Sequence, residues 1–541
     1  MDFLRFLERE SKTLDRRLLI LGALAALINM FIIFSLTVAA GKAVQGQSTL
    51  GQLLSVVLAL AAYWLSEGFV MRRVTIAVEQ IVQTVRVRII DKIRSSDLAS
   101  IESLGRAAPY NVVSTHAMNI SRGATGIVGA FTASVLLVWA FLIILYISRT
   151  AFLILIAALA FLLLTLRLGQ KKISASYANA VDRDNQFVHG FGDLIDGFKE
   201  LKMNSRRAQD FIDNHLNLLA GGARDARTGA GLEINRSVLL ATAALFIVLA
   251  ALVFLLPLFS PHEAPKLVRL TTFVIFLFGP LGQVVGVSPL FNEAVASVRE
   301  VQRVEALLDS VSRGGSADPE PDVDPPLSFN QLRCNDLSFN YRDEHGQPSF
   351  SLEPLAFELA RGEMVFITGG NGSGKSTFLK VLAGLYLPAG GTISLDDRPV
   401  DLARRQSYRN LFSAVFSDFH LFDRIYGVEH LDQARLRRLL ELTDLLHKIS
   451  VVDGRLNTVN LSSGQRKRLA LVLSLLEDRP ILLLDEWAAE QDPLFRRKFY
   501  REILPSLKQD GKTVVAVTHD DDHYEVADRV LKMQFGKFVE R

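Results

Sequence analysis

Six apolar stretches, each close to the length needed to cross a lipid bilayer, limit what the N-terminal half of this chain can fold into. They lie at about 18–40, 50–71, 124–147, 151–169, 236–258 and 267–288. A helix needs roughly 20 apolar residues to span the hydrocarbon core, so six transmembrane helices are predicted. The gaps after the first, third and fifth stretches are short, which groups the helices into three hairpins.

Basic residues predict the orientation of these helices, because cytoplasmic loops carry an excess of Lys and Arg. Such residues precede the first stretch and follow the second and the fourth, and they include Arg16, Arg17, Arg72, Arg73, Lys171 and Lys172. Both termini and two long loops, about 72–123 and 170–235, are therefore expected in the cytoplasm. The long loops contain few helix breakers, so the membrane helices are expected to continue beyond the bilayer.

Composition narrows the class of protein further. The 541 residues are 49% hydrophobic and have a formal net charge of only +3, which favours a membrane protein and gives no reason to expect a nucleic-acid partner. One cysteine, Cys334, excludes an internal disulfide and fits a reducing compartment. The N-terminal residues mix acids with bases, unlike a cleaved signal peptide.

Polar residues are sparse in the apolar stretches, and Glu67 is the clearest ionisable one. An intramembrane acid is a candidate for a transport role. Its place near the cytoplasmic end of the second stretch also permits a carboxylate that simply reaches water. Both interpretations stay open at this point.

The composition changes at residues 311–326, VSRGGSADPEPDVDPP, where Gly, Ser, Pro and Asp replace the apolar pattern. We interpret this segment as a linker between a membrane domain at 1–310 and a soluble domain at 327–541. Beyond it, short β-type runs alternate with helical ones, which is typical of an α/β domain.

A phosphate-binding loop is the strongest chemical signal in the chain. Residues 369–377 fit the pattern G-x-x-x-x-G-K-[ST], after a predicted strand at 364–368 and before a predicted helix. Lys375 is expected to reach the β and γ phosphates, and the Ser376 hydroxyl is expected to hold Mg²⁺. The predicted nucleotide-binding residues here are Gly369, Gly370, Asn371, Gly372, Ser373, Gly374, Lys375, Ser376 and Thr377.

Two adjacent acids, Asp485 and Glu486, follow the apolar run LLL in LLLDEWAAEQDP. A nucleotide held by a phosphate loop needs a further carboxylate for Mg²⁺ and a group that polarises the attacking water. We assign Mg²⁺ binding to Asp485 and catalysis to Glu486 and Lys375.

The segment LSSGQRKRLA at 461–470 resembles the signature loop of ATP-binding cassette proteins. The resemblance implies that Ser462, Gly464 and Gln465 contact ATP bound to the opposite subunit. The family usually has LSGGQ, so Ser463 departs from its pattern. A helix N-terminus aimed at an anion is the physical basis of such a contact.

The same resemblance assigns three further residues. His519, at the end of a predicted strand, matches a histidine that contacts the γ-phosphate, and Asp492 matches a loop that crosses to the other subunit. Tyr341 matches the aromatic residue that stacks on adenine, although a strand residue packing on its neighbours is the alternative. The acids at 520–522 with His523 favour a solvated turn over a metal site.

One family element is altered in AVFSDFHLF at 414–422. Family members usually have a glutamine that senses Mg²⁺ where this chain has Ser417, followed by Asp418. We expect either Ser417, directly or through water, or Asp418 to take over metal sensing.

The segments FSDFHLFD and DEWAAEQDP, on a chain with six predicted spans before one nucleotide domain, resemble the bacterial cyclic-peptide exporter family. That resemblance implies ATP-driven export of a cyclic or modified peptide, such as a siderophore, across the bacterial inner membrane. Trp487 is interpreted as a packing residue. No peptidase-like domain precedes the first span, so cleavage of a leader peptide is not expected.

A homodimer is expected. Each chain has one signature loop and one phosphate loop, and the signature loop of one copy must face the phosphate loop of another. ATP and Mg²⁺ are the expected cofactors, and closure of the nucleotide domains is expected to switch the membrane part between inward-open and outward-open states. The segments Ser100–Asn111 and Arg206–Asn214 are candidate coupling helices, with solvated helix surface as the alternative. Alternatives for the function are export of lipids or hydrophobic drugs and regulation of a partner without transport.

Overall fold

Two compact units make up the part of the chain that the computed structural model describes, which is residues 2–10, 16–44, 46–105, 107–259, 266–312, 329–342, 348–400, 405–428 and 430–539. The first unit is Met1–Ile90 with Ala107–Glu305, and the second is Asp91–Arg106 with Ala306–Arg541. Most of the predicted linker at 311–326 lies outside the described residues. The predicted domain limits stay predictions, and the second unit also takes in the short segment Asp91–Arg106.

Helices build the first unit. In chain order, the helices of the N-terminal half are α1 (Asp2–Glu10), α2 (Arg16–Val44), α3 (Leu50–Ser95), α4 (Leu98–Leu104), α5 (Ala107–Asn111), α6 (Ala117–Ile147), α7 (Arg149–Asp196), α8 (Phe198–Met203), α9 (Ser205–Phe211), α10 (Asn217–Ala250), α11 (Leu256–Phe259), α12 (Leu267–Phe276) and α13 (Phe278–Ser312). Single π-helical turns at Val112–His116, Ile212–Leu216 and Ala251–Leu255 join neighbouring helices.

Five helical segments in the described residues are long and apolar enough to cross a membrane. They are Ile20–Ala43, Leu50–Ser95, Ala108–Ile147, Ser205–Leu258 and Leu267–Asp309. The span predicted at 151–169 lies on α7, where the described apolar part, Arg149–Leu162, is shorter, so this sixth span stays a prediction. Helices α3 and α7 have 46 and 48 residues, more than twice what a bilayer requires.

Glycines on α6 let α13 approach closely within the first unit. A Cβ on Gly123 would lie 2.3 Å from the Cβ of Ala294, and one on Gly126 would lie 3.1 Å from the side chain of Val287. Small residues of this kind allow helices to pack backbone to backbone in a membrane, where burial of apolar surface gives little driving force.

The second unit is the predicted α/β domain with α4 added. Its elements after α13 are β1 (Gln331–Arg342), β2 (Pro348–Ala360), β3 (Met364–Thr368), α14 (Lys375–Leu382), β4 (Gly390–Leu395), β5 (Arg398–Pro399), α15 (Arg405–Arg409), β6 (Phe412–Val415), α16 (Gln433–Leu442), β7 (Val451–Val452), β8 (Arg455–Leu456), α17 (Ser463–Leu476), β9 (Ile481–Asp485), α18 (Pro493–Lys498), α19 (Leu504–Gln509), β10 (Thr513–Val517), β11 (Arg529–Gln534) and β12 (Lys537–Val539).

A six-stranded sheet in the order β12-β11-β3-β10-β9-β6 forms the centre of this unit, and a four-stranded antiparallel sheet, β2-β1-β4-β5, lies beside it in the same unit. The pairings β11–β3, β3–β10, β10–β9 and β9–β6 are parallel. Their side chains alternate between two apolar clusters: Phe366 and Leu482 belong to one, whereas Ile367 and Leu483 belong to the other. Burial on both faces is what a parallel sheet requires.

Cys334, on β1, is buried in the cluster that also contains Ile367. Burial raises the pKa of its thiol to about 12, because the apolar surroundings disfavour the thiolate. The thiol is therefore uncharged at physiological pH.

Candidate functional site

Four parallel strands carry the predicted site residues to one edge of the central sheet. β3 ends before the phosphate loop, β9 ends at Asp485, β10 ends two residues before His519, and β6 ends two residues before Ser417. The carboxyl ends of parallel strands meet at the same edge, where open α/β sheets bind their ligands. The structure thus brings together motifs that are about 150 residues apart in the sequence.

The phosphate loop requires glycine at two positions. Gly369 and Gly374 have φ angles of +150° and +104°. A Cβ on Gly369 would lie 2.2 Å from the carbonyl oxygen of Met533, and one on Gly374 would lie 2.9 Å from the ring of Phe350. Neither position accepts a side chain without displacement of its neighbours.

Helix α14 begins at this loop with its N-terminus free of a side-chain cap. Gly374 precedes the helix and provides no capping side chain. The first N–H groups of a helix have no partners within the helix, so this terminus suits an anion such as phosphate. Thr377 is buried in the first turn, whereas Gly370, Asn371 and Gly372 form the exposed tip of the loop.

Two buried polar groups of the loop fit a bound phosphate. The Lys375 ammonium group donates to the carbonyl oxygens of Gly369 and Gly370, both at 3.0 Å, and lies 3.9 Å from the Glu486 carboxylate. Burial lowers the pKa of Lys375, although the charges of Glu486 and Asp485 oppose this shift. Among the residues that the structure describes, the buried Ser373 hydroxyl has no hydrogen-bond partner. An unpaired buried hydroxyl is costly, and phosphate oxygens would satisfy it.

Asp485 lies between the two serines that the sequence analysis assigned to Mg²⁺. Its Oδ1 accepts from the Ser376 hydroxyl at 3.0 Å and its Oδ2 accepts from the Ser417 hydroxyl at 3.2 Å. The carboxylate is buried, which raises its pKa, while both serine hydrogen bonds lower it. Oxygen ligands of this type suit Mg²⁺.

Asp418 is not brought to this carboxylate. Its side chain is exposed and lies 3.7 Å from the Lys380 ammonium group. Of the two residues considered for the altered element, Ser417 is the one that the structure places against Asp485.

Glu486 and His519 face each other at the same edge of the sheet. The His519 Nε2 lies 3.3 Å from the Glu486 Oε1, and both side chains are partly exposed. Glu486 has a left-handed backbone with φ of +48°, which is uncommon for a residue with a side chain. Its N–H donates to the carbonyl oxygen of Val517 at 3.1 Å, which fixes it to the neighbouring strand.

Trp487 is a packing residue, as its interpretation from the sequence proposed. Its side chain is 1% exposed and its ring centroid lies 4.3 Å from that of Phe499. The indole N–H donates to the carbonyl oxygen of Lys467 on α17 at 2.8 Å. A buried indole N–H needs such an acceptor.

Ser462 and Gln465 form a capping box at the start of α17. The Ser462 hydroxyl accepts from the Gln465 N–H, and the Gln465 side chain accepts from the Ser462 N–H, both at 3.4 Å. Gly464 follows in the first turn, where an added Cβ would lie 3.0 Å from the carbonyl oxygen of Glu490. The departure from the family pattern, Ser463, donates a hydrogen bond to the Glu490 carboxylate.

Asp492 caps α18 rather than standing free. Its carboxylate accepts from the N–H of Phe495 at 2.9 Å and from the Arg468 guanidinium at 2.6 Å. The backbone hydrogen bond and the Arg468 charge lower its pKa. The same guanidinium lies 3.5 Å over the Phe495 ring, so Asp492 is tied to the signature helix α17.

Tyr341 lies half-buried on β1 among other aromatic rings. Its ring stands edge-on to Phe339, at 5.1 Å, and to Tyr386, at 5.6 Å. Its hydroxyl donates to the Tyr386 hydroxyl at 2.8 Å. The packing alternative is thus observed, and stacking on adenine stays a prediction.

Sequence reasoning missed Lys467, which holds the backbone of Glu486. The Lys467 ammonium group is buried, donates to the carbonyl oxygen of Glu486 at 3.0 Å and lies 3.0 Å from the Glu490 carboxylate. In the sequence it is the middle residue of the basic run RKR, which suggests a solvated surface and gives no signal of burial.

Comparison with known proteins agrees with this geometry. A family model described as ABC transporter matches residues 352–489. The ATP-binding protein SyrD of Pseudomonas syringae pv. syringae is 35% identical over 386 residues, which cover 69% of this chain and 66% of SyrD. The ATP-dependent lipid A-core flippase of Burkholderia orbicola is 27% identical over 379 residues, which cover 66% of this chain and 60% of the flippase.

The fold also matches a solved structure over most of its length. A bacterial Atm1-family ABC exporter with ATP bound superposes with a TM-score of 0.75 at 19% identity, covering 97% of this chain and 94% of that chain. The phosphate loop, the adjacent acids and the signature helix therefore lie on an exporter fold, with apolar helices before a nucleotide domain. The chain spans slightly less than two thirds of the length of SyrD and of the flippase. It belongs to the ATP-binding cassette transporters and has the fold of an exporter half-transporter.

Proposed function

We propose that this protein exports a cyclic or modified peptide, such as a siderophore or a peptide natural product, from the cytoplasm across the bacterial inner membrane. The observation that carries the proposal is the cluster of Lys375, Asp485, Glu486 and His519 on a chain whose described residues include five helices long and apolar enough to cross a membrane. The cargo class rests on the resemblance of FSDFHLFD and DEWAAEQDP to cyclic-peptide exporters. The similarity to SyrD supports the same branch of the family.

ATP binding is assigned to the phosphate loop and Tyr341. The N-terminus of α14 and the Lys375 ammonium group offer positive charge to the β and γ phosphates. On binding, Lys375 exchanges its contacts to the Gly369 and Gly370 carbonyl oxygens for phosphate oxygens. The Ser373 hydroxyl gains an acceptor, which none of the described residues provides.

Hydrolysis is assigned to Glu486 and His519. The Glu486 carboxylate polarises the attacking water, and His519 hydrogen-bonds the γ-phosphate. The two side chains lie 3.3 Å apart at the edge of the sheet. Both are partly exposed, so water has access to them. The contact of Glu486 with Val517 and Lys467 holds its backbone in place.

Mg²⁺ fits the oxygen atoms of Ser376, Ser417 and Asp485. When bound, the ion would neutralise charge that develops on the β and γ phosphates. Ser376 and Ser417 already orient both oxygens of the Asp485 carboxylate, so the acid is positioned before the ion arrives. Asp418 remains the alternative ligand that the sequence offers.

A homodimer completes the site, because Ser462, Gly464 and Gln465 belong to a helix terminus that would face the γ-phosphate held by a second copy. The capping box shapes this terminus. Asp492 is the residue assigned to the crossing between subunits. Both termini and the nucleotide domain are placed in the cytoplasm, in keeping with the excess of basic residues beside the membrane helices.

Export of a lipid is a second candidate, favoured by the similarity to a lipid A-core flippase. The machinery would be the same, and only the cargo would differ. A third candidate is a membrane ATPase that regulates a partner without moving a substrate.

Uptake into inside-out membrane vesicles distinguishes these functions. A cyclic peptide, a lipid and a hydrophobic cation are each offered with Mg-ATP, with Glu486→Gln as the inactive blank and the exposed Glu502→Gln as a matched control. We expect accumulation of the peptide alone, in wild type and in Glu502→Gln. Accumulation of the lipid or the cation instead would reject the peptide cargo.

The blank itself tests the assignment of Glu486. Glu486→Gln keeps the size and the hydrogen-bonding capacity of the side chain but removes its charge, so hydrolysis is expected to stop while ATP binding continues. Steady-state hydrolysis near the wild-type rate would reject the catalytic role of Glu486.

A further inference from the structure

Helix α4, in the first long loop, belongs to the nucleotide-binding unit. The contacts within the chain group Asp91–Arg106 with the second unit. Leu98 and Ala99, in the first turn of α4, pack against the apolar cluster that contains Tyr386 and Ile367. The helix is capped by Asp97, whose carboxylate accepts from the Ser100 N–H at 2.9 Å. This firm placement brings Glu102, one turn further along, to the aromatic residues of the site.

Glu102 ends a chain of hydrogen bonds that begins at Tyr341. The Tyr341 hydroxyl donates to the Tyr386 hydroxyl at 2.8 Å, and the Tyr386 hydroxyl donates to the Glu102 carboxylate in a short hydrogen bond. Each tyrosine hydroxyl has one proton to donate, so this direction of donation requires an acceptor at the end of the chain of hydrogen bonds. A carboxylate meets that requirement, and an amide or a hydroxyl in its place would be weaker.

Tyr386 is held in a single position between the other two residues. Its side chain is fully buried, and its ring stacks on that of Phe339 at 4.8 Å with an interplanar angle of 5°. The same Phe339 ring meets Tyr341 edge-on. The packed ring cannot rotate to compensate for a displacement of the Tyr386 hydroxyl. Such a displacement therefore also moves the Tyr341 hydroxyl that is bonded to it.

Lys380, on α14, secures the carboxylate from the other side. Its ammonium group lies 3.1 Å from Glu102 and 3.4 Å from the Tyr386 hydroxyl. Burial lowers the pKa of Lys380, but the hydrogen bond that Lys380 donates to Glu102 and the negative charges of Glu102 and Asp418 outweigh this effect and raise it. Helix α14 also carries the phosphate-loop residue Lys375 at its first position.

We propose that Glu102 is a positioning residue through which α4 sets the orientation of Tyr341 for adenine. The inference rests on the proposed function, in which Tyr341 stacks on ATP. Because binding free energies are reciprocal, ATP on Tyr341 strengthens the attachment of α4, and loss of that attachment weakens ATP binding. Nucleotide occupancy is thus reported directly to the loop that continues from membrane helix α3.

Full-length protein in lipid nanodiscs tests this link. The variants are Tyr341→Phe and Tyr386→Phe, which keep the rings and remove one hydroxyl each, and Glu102→Ala, with the exposed Glu441→Gln as the matched control. The first readouts are KM and kcat for ATP, measured with Glu486 intact. The second readout is the ATP-dependent protection of the α4 amides from hydrogen exchange, measured in the Glu486→Gln background, where ATP is expected to bind without being hydrolysed.

We expect the three variants each to raise KM for ATP about 3- to 10-fold, the effect of one lost hydrogen bond, with little change in kcat. The double variant Tyr386→Phe with Glu102→Ala is expected to be no worse than either single one, because both break the same chain. ATP is expected to protect the α4 amides from exchange when Tyr386 and Glu102 are intact, including in Glu441→Gln. In Tyr386→Phe, ATP is expected to give no such protection.

Tyr341→Ala separates failure of this inference from failure of the site assignment. If Tyr341→Ala raises KM while Tyr386→Phe and Glu102→Ala leave KM and the protection of α4 unchanged, or act additively, the link is rejected and the assignment of Tyr341 stands. If Tyr341→Ala leaves KM unchanged, the adenine assignment and the link are both rejected.

Discussion

The indole N–H of Trp487 donates to the carbonyl oxygen of Lys467 at 2.8 Å, and the Lys467 ammonium group in return donates to the carbonyl oxygen of Glu486 at 3.0 Å. These two bonds attach the adjacent residues Glu486 and Trp487 to helix α17, which carries Lys467. A movement of α17 is therefore transmitted to the backbone of Glu486.

Trp487→Phe is expected to separate this bond from the packing of the ring. Phenylalanine keeps an aromatic ring beside Phe499 but leaves the Lys467 carbonyl oxygen without its donor. We expect a loss of about 1 kcal/mol in stability and a several-fold fall in kcat. Thermal unfolding and ATPase rates measure the two effects.

Trp487→Ala provides the comparison, since it removes the packing as well. It is expected to destabilise the protein by about 3–5 kcal/mol, as for other large buried aromatic residues. Equal stability of the Phe and Ala variants would contradict this account of the Trp487 pocket.

Lys467→Met is expected to lower kcat without raising KM for ATP. The substitution keeps the length of the buried side chain but removes the bonds to the Glu486 carbonyl oxygen and the Glu490 carboxylate. Neither contact involves the phosphate loop, so nucleotide affinity should persist. Steady-state kinetics check this, with the exposed Lys448→Met as the control; a change confined to KM would contradict the prediction.

Ser417→Ala is expected to raise the Mg²⁺ concentration needed for half-maximal hydrolysis about 3- to 10-fold. The serine hydroxyl orients the Oδ2 of Asp485, and its loss removes one hydrogen bond to that side chain. Asp418→Asn, whose side chain contacts Lys380 instead, is expected to change the Mg²⁺ requirement much less. Titration of ATPase activity with Mg²⁺ compares them, and a larger effect of Asp418→Asn would assign metal sensing to that residue.

Gly464→Ala is expected to reduce hydrolysis more than tenfold while nucleotide binding to the phosphate loop is kept. A Cβ there would lie 3.0 Å from the Glu490 carbonyl oxygen, so the N-terminal turn of α17 must shift. Ser463→Gly, which restores the usual family residue and removes only the hydroxyl bonded to Glu490, is the matched comparison. Equal rates for the two variants would show that this turn tolerates displacement.

Much of the site follows from the sequence because its motifs are short and local. The phosphate loop is specified by glycines with positive φ at Gly369 and Gly374 and by the lysine after them. Asp485 and Glu486 end a run of apolar residues that is buried along its whole length. The local conformation of each motif is determined within about ten residues. The motifs can therefore be recognised without knowledge of the strand order.

The contacts that support these motifs do not follow from the sequence. Lys467 and Glu102 belong to segments rich in charge, where burial of one side chain leaves no periodic signal. The partner of Tyr386 is 284 residues away, and only the folded unit brings α4 to it. The choice between Ser417 and Asp418 likewise depends on where two adjacent side chains point at the end of β6.

The buried position of Cys334 makes this chain suited to labelling. It is the one cysteine in the sequence and lies within the apolar cluster, where burial raises the pKa of its thiol to about 12. Thiol-labelling reagents react with the thiolate, so very little of Cys334 is in the reactive form. A cysteine introduced on an exposed face would therefore carry a probe alone, without prior removal of the native thiol. Distances between paired spin or fluorescent labels in the assembled protein would then follow from single substitutions.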